Sequence, residues 1–180
     1  MPHRVLVFLA LVGAVSCSDT ITGLAPPSNP ATETFAASLG VNIASMTMLA
    51  NGLYFVDLVV GKGAVDTTTT DSVFVTYTGS LKTGTQFDAG TNVRFAPAGL
   101  VTGFRLGMIG MKQGGKRKLV IPSSLGYGSV AIKKTDGTIK IPRQSTLVFD
   151  IELLKVYNPV VAAASALIAP PTGLRAAARH

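Results

Sequence analysis

Two stretches limit what this chain can fold into more than any others: Val73–Asp88, VFVTYTGSLKTGTQFD, and Leu147–Leu154, LVFDIELL. In the first, Val73, Val75 and Tyr77 alternate with Phe74, Thr76 and Thr78, the period-two pattern of a strand with one face turned to a core. Gly79 is expected to end that strand, and Lys82-Thr83-Gly84 to turn the chain back toward Phe87-Asp88. In the second, Leu147, Phe149, Ile151 and Leu153 alternate with Val148, Asp150, Glu152 and Leu154. Two strands that each carry an aromatic inward can wall an apolar pocket. Asp88, directly after Phe87, places one carboxylate at its rim.

The segments around them extend the same pattern. Leu53–Val60 reads as a strand that stops at Gly61-Lys62-Gly63, and Asp66–Asp71 as a polar loop. Arg94-Phe95 is expected to be a short strand before Pro97. Leu100, Phe104, Met108 and Met111 are spaced as one face of a helix within Leu100–Met111. Lys116–Pro122, KRKLVIP, predicts a strand with Leu119 and Ile121 on one face, and Leu125–Ile141 a long loop. The fold class is therefore α+β: a twisted antiparallel sheet of roughly four to six strands wrapped around one short α-helix. The domain is expected to run from Leu53 to Tyr157.

The two ends read differently. Met1-Pro2-His3-Arg4 is a short positive region, followed by the apolar run Val5–Val15, too short to span a bilayer. Residues 1–16 are expected to be a signal peptide, and its site is followed by Cys17, the one cysteine of the chain, which excludes an intrachain disulfide. The pattern resembles a bacterial lipoprotein signal. That resemblance implies a lipidated Cys17 at the mature N-terminus, and Ser18 after it implies the outer membrane, facing the periplasm. Residues 17–52 read as a tether with a short helical piece, Glu33–Leu39, that stops at Gly40. Residues 158–180 form an Ala/Pro-rich tail, expected to be flexible.

Most enzyme chemistries lack their residues. The two histidines are His3 and His180, so the expected domain holds neither His nor Cys. A Ser-His-Asp or Cys-His arrangement has no base there, and a zinc site has carboxylates alone. Gly110-x-x-x-x-Gly115-Lys116 misses a phosphate loop, because Arg117 replaces the Ser or Thr and a strand follows where a helix is needed. The net charge is +7, with clusters at Lys116-Arg117-Lys118 and Lys133-Lys134. Aromatics are not interleaved with these cations as single-strand binding requires, so they read as a solvated basic face and no nucleic-acid partner is expected. What remains is a site of aromatics with few polar groups.

In chain order, Tyr77-Thr78-Gly79, Phe87-Asp88, Leu100-Val101-Thr102-Gly103-Phe104, Leu125-Gly126-Tyr127-Gly128, Ile141-Pro142 and LVFDIELL resemble the landmarks of the FKBP-type peptidyl-prolyl cis-trans isomerases. The resemblance covers about Leu53–Tyr157. It implies an enzyme that accelerates rotation about X–Pro bonds in exported proteins, with neither metal nor cofactor. It further implies Tyr77, Asp88 and Tyr127 as the catalytic groups, and Phe87, Phe95, Leu100, Val101, Phe104, Ile141 and Phe149 as the substrate-binding ones. In the family pattern the Val101 N–H donates to a bound carbonyl and the Tyr127 hydroxyl reaches the ligand. The implied partners are proline-containing polypeptides, macrolide inhibitors, and a membrane through the N-terminal lipid.

Singly, Phe104 and Phe149 would read as core; their order with the other landmarks argues for a pocket. Two departures stand out. Phe104 occupies the position where the family most often has Trp, and Val93 an edge position where many members have an aromatic or a small residue. Phe104 leaves a second reading open, a non-catalytic proline-peptide-binding or chaperone module of the cell envelope.

Overall fold

The computed structural model describes residues 25–65, 72–96 and 99–157. The expected signal peptide, Cys17 and the Ala/Pro-rich tail lie outside them. Strands run over Thr47–Met48 (β1), Tyr54–Val59 (β2), Ser72–Leu81 (β3), Gln86–Phe95 (β4), Lys116–Ile121 (β5), Ile132–Lys133 (β6), Ile139–Ile141 (β7) and Leu147–Tyr157 (β8); one helix, Thr102–Met108 (α1), stands between β4 and β5. Six strands form one antiparallel sheet in the order β1-β2-β5-β8-β3-β4, and β6 and β7 form a small hairpin of their own. The α+β expectation, with a sheet of this size against one short helix, is met.

Period-two alternation decides which face each strand buries. Val73 and Val75 of β3, Leu119 and Ile121 of β5, and Leu147, Phe149, Ile151 and Leu153 of β8 meet Phe104 and Met108 of α1 and the following Met111 in the main core. Gly103 and Gly107 bring α1 close to β5: a Cβ on Gly107 would stand 2.5 Å from Leu119 Cδ1, and one on Gly103 would collide with Ile121 Cγ2. The helix is shorter than its apolar spacing suggests. Val101 before it is extended, and Gly110 after it takes a left-handed φ of 80°, which turns the chain toward β5.

Three expectations are corrected. Gly79 does not end β3, which continues to Leu81; the Phe149 and Phe87 rings lie over Gly79, where a Cβ would approach them to 2.6 and 2.8 Å. Arg94-Phe95 is not a separate short strand but the end of a ten-residue β4. The cluster Lys116-Arg117-Lys118 is not a solvated face. Arg117 is 6% exposed and points inward, bidentate to Asp57 at 2.7 and 3.0 Å, with Nη1 donating to the Gly107 and Ile109 carbonyls. Its guanidinium lies 4.4 Å from the Phe55 ring centre, while Lys118 on the opposite face pairs with Asp150 of β8. Adjacent strand residues face opposite sides, so a run of cations is divided between the faces rather than shown to water together.

The segment before Leu53 is not a plain tether over its described part. Residues 35–46 lie on the outer face of the sheet, where Leu39, Tyr54, Val120 and Val148 make a second buried cluster with Phe35, Ala36, Val41, Ile43 and Met46 around it. Of the expected helix at Glu33–Leu39 only its end is helical, the 3-10 turn Ala37–Leu39 closed by Gly40 at φ 56°, and a separate 3-10 turn, Pro30–Thr32, precedes it. Glu33 pairs with Lys82 at 3.0 Å and the Ala36 N–H donates to the Lys82 carbonyl at 2.9 Å. The folded unit thus begins well before residue 53.

Candidate active site

A cavity of about 300 Å³ opens between the inner face of the sheet and the start of α1, lined by Tyr77, Phe87, Asp88, Phe95, Gly99, Leu100, Val101, Phe104, Tyr127 and Phe149. That is the small end of the range for ligand pockets, roughly 300–1,000 Å³. Nine of the ten residues expected at the site are in this lining. Ile141 is the exception: it is 2% exposed and belongs to the core. Among the described residues Gly99 is the one lining residue not anticipated, and it carries no side-chain signal.

Each side chain arrives by a separate route. Tyr77 comes from the middle of β3 and Phe149 from β8, directly opposite Gly79. Phe87 and Asp88 are neighbours on β4, yet both line the cavity. A β-bulge explains this: Gly79 pairs with Asp88 and Ser80 with Gln86, so Phe87 is the extra residue and the usual alternation is interrupted. Phe104 occupies the first turn of α1 and is 2% exposed. Its ring stands edge-on to Phe149 at 5.0 Å, to Tyr77 at 6.0 Å and to Phe95 at 6.0 Å, within the range in which tilted aromatic pairs attract. Phe87 meets Phe149 at 5.5 Å, and Tyr77 meets Phe95 at 5.4 Å. Phe104 therefore makes a floor that the other rings buttress.

The polar groups are few. The Tyr77 hydroxyl donates to Asp88 Oδ2 at 3.0 Å. Burial first, then this hydrogen bond and the negative charge of Asp88, push the Tyr77 phenol up to about 12. The Tyr127 phenol is raised as well, by burial and then by the Asp88 charge. Both hydroxyls are thus protonated donors at neutral pH. Among the described residues, no three His, Cys, Asp or Glu side chains come together as a metal site. The arrangement can enclose an apolar ring, exclude water from it, and offer hydrogen bonds to a carbonyl at the edge. It has no base and nucleophile in partnership.

A six-stranded antiparallel sheet holding one short helix, with an aromatic cavity where they meet, defines an FKBP-like isomerase domain. The family model for the FKBP-type peptidyl-prolyl cis-trans isomerases matches residues 63–154, just over half of the 180-residue chain. The FK506-binding protein of Neisseria meningitidis is 42% identical over 92 residues, which cover 48% of this chain and 80% of that protein. The isomerase FkpA of Escherichia coli is 39% identical over 128 residues, 69% of this chain but 43% of FkpA, so the chain spans less than half of that longer relative. A peptidyl-prolyl isomerase structure from Pseudomonas syringae superposes with a TM-score of 0.57 at 30% identity, covering 68% of this chain and 87% of that one. The chain belongs to the FKBP-type peptidyl-prolyl cis-trans isomerase family, and its activity is rotation about the X–Pro bond.

Proposed function

We propose that the cavity beneath Tyr77 and Tyr127 is where the proline ring binds, and that the enzyme works on exported polypeptides from a lipid-anchored position in the bacterial cell envelope. The observation that carries the site is the Phe104 floor walled by Tyr77, Phe95 and Phe149, with Asp88 and Tyr127 as polar groups at its rim. The anchored position rests on the signal-like run ending at Cys17.

The chemistry follows from what an X–Pro bond needs. Its barrier, about 18–20 kcal/mol, is the loss of amide resonance, while cis and trans differ by only about 0.5–1 kcal/mol. In the twisted state the imide nitrogen is pyramidal and the carbonyl less polarised. A dry, shape-matched cavity favours that state over the planar ones, because water solvates the planar amide better. The Val101 N–H donates to a carbonyl of the bound peptide and the Tyr127 hydroxyl reaches the ligand, both outside the rotating imide, while Asp88 fixes the Tyr77 ring through its hydroxyl. No proton is transferred, so the lack of a base is no obstacle.

Isomerisation of short X–Pro peptides tests the site. Asp88→Ala and Tyr127→Phe are expected to lower kcat/KM by about one to two decades each, the loss of one hydrogen bond at the rim of the cavity, roughly 1–3 kcal/mol. Their unfolding midpoints are expected to stay near that of the parent. Full activity in both variants would remove the assignment. Mass spectrometry of membrane-derived protein tests the anchor; an unmodified Cys17 excludes it.

A further inference from the structure

Tyr127 is held differently from the other rings of the cavity. Tyr77, Phe87, Phe95, Phe104 and Phe149 are locked by contacts with one another. Tyr127 takes part in no such ring contact among the described residues, is 36% exposed, and sits in the turn after the 3-10 helix Ser123–Leu125. Its direction therefore depends on the backbone of Gly126 and Gly128.

That backbone is tied to a residue almost a hundred positions earlier. The Ser123 carbonyl accepts from the Gly126 and Gly128 N–H groups at 3.0 and 2.9 Å. Ser123, 1% exposed, is in turn gripped by Ser28: the Ser28 N–H donates to Ser123 Oγ at 2.9 Å and the Ser123 N–H donates to Ser28 Oγ at 2.7 Å. The Ser123 hydroxyl passes on to Gln144 Oε1 at 2.8 Å, and the Gln144 N–H returns to the Gly128 carbonyl at 2.7 Å. The loop is thus closed on both sides of Tyr127. Ser28 is itself well anchored, between Pro27 and a 3-10 turn whose Asn29 side chain caps Ala31 and whose Pro30 is buried. Such a linked set of hydrogen bonds holds geometry better than its members do singly.

We propose that Ser28 is a positioning residue for the isomerase site: through Ser123 it sets the place of the Tyr127 hydroxyl, so the segment preceding the sheet governs how tightly the cavity holds a proline peptide. This rests on the reading of Tyr127 as a ligand-binding group. Ser28 touches neither substrate nor the cavity lining. Losing it is expected to move the donor rather than remove it, and small displacements of a positioning group are costly.

The test uses the full chain and four variants. In Ser28→Ala, KM for an X–Pro peptide is expected to rise about threefold to tenfold with kcat little changed, the scale of one hydrogen bond. Amide exchange at Gly126 and Gly128 should quicken by more than the fall in the unfolding midpoint accounts for, while exchange in β8 only tracks that midpoint. Ser28→Thr keeps the hydroxyl and should restore KM. Lys82→Gln loosens the same segment at its Glu33 contact, away from Ser123, and should leave KM alone. A parental KM in Ser28→Ala, no recovery in Ser28→Thr, or an equal rise in Lys82→Gln overturns the proposal, as does exchange that quickens uniformly across the sheet. If Tyr127→Phe itself leaves KM unchanged, the Tyr127 reading has failed, and exchange at Gly126 and Gly128 still decides whether Ser28 holds the loop.

Discussion

At the scale of the residue, Phe104 is the departure with most consequence. A Phe ring makes an apolar floor but is smaller than an indole, so a bound proline ring meets fewer atoms. An indole would extend into the cavity of about 300 Å³ in front of it. About five to ten new carbon contacts at roughly 0.1–0.2 kcal/mol each amount to about 1 kcal/mol, or roughly fivefold in affinity. Phe104→Trp is therefore expected to tighten binding of a proline peptide or macrolide by that factor and to change kcat less, because planar and twisted forms both rest on the floor. Calorimetry paired with isomerisation rates on both proteins checks this; weaker binding in the Trp variant would mean that the site is already full. Tyr77 gives a second prediction. Its phenol, at 10.0 when unfolded, is raised to about 12 in the fold, so the unfolded chain loses the proton first. The contribution of this group is intact below the lower value and is lost as pH rises through the higher one. Urea midpoints of the parent should fall more steeply across that window than those of Tyr77→Phe. Parallel curves would show that the hydroxyl is not held as described.

Among the elements, the close approach of α1 to β5 is decided by two glycines on one helix face. Ala is ordinarily the better helix former by about 1 kcal/mol. Here the added Cβ of Gly107→Ala would meet three carbons of the fully buried Leu119 at 2.5–3.1 Å. Overpacking of this kind costs about 1–3 kcal/mol, and the clash outweighs the propensity. Gly107→Ala is expected to lower the unfolding free energy in urea by up to about 2 kcal/mol, and to shift Phe104, three residues away on the same helix. A stabilised variant would mean that the helix has room to move off the sheet. The same joint is fastened at its other end by Arg117, which accepts no substitute from a lysine: two carboxylate oxygens and two helix-end carbonyls are met by one planar fork.

For the whole molecule, the sheet is covered on both faces, by α1 within and by residues 35–46 without. Leu39 is the best-buried apolar side chain of the outer cover. Leu39→Ala is expected to cost about 2–3 kcal/mol, the low end for a Leu→Ala change because the site lies at the margin of the structure. Equilibrium denaturation checks it, and a parental midpoint would show that the cover adds nothing to stability. The strands β2, β3, β5 and β8, the apolar helix face and the order of the aromatic landmarks were legible in the sequence, because alternation and helical spacing are local and each residue carries its own evidence. The cavity residues were legible only through the resemblance that the ordered landmarks carry, and that resemblance also put Ile141 in the site, whereas its place in the core depends on where the hairpin β6–β7 folds back. Three things rested on tertiary structure alone. The bulge at Phe87 turns two neighbours into one wall; the partition of Lys116-Arg117-Lys118 buries two cations that composition assigns to water; and the Ser28–Ser123 pair joins residues 95 apart in the chain. Each depends on how one segment pairs with another, near in the hairpin and far in the rest, and no periodicity within a segment records which partner it will meet.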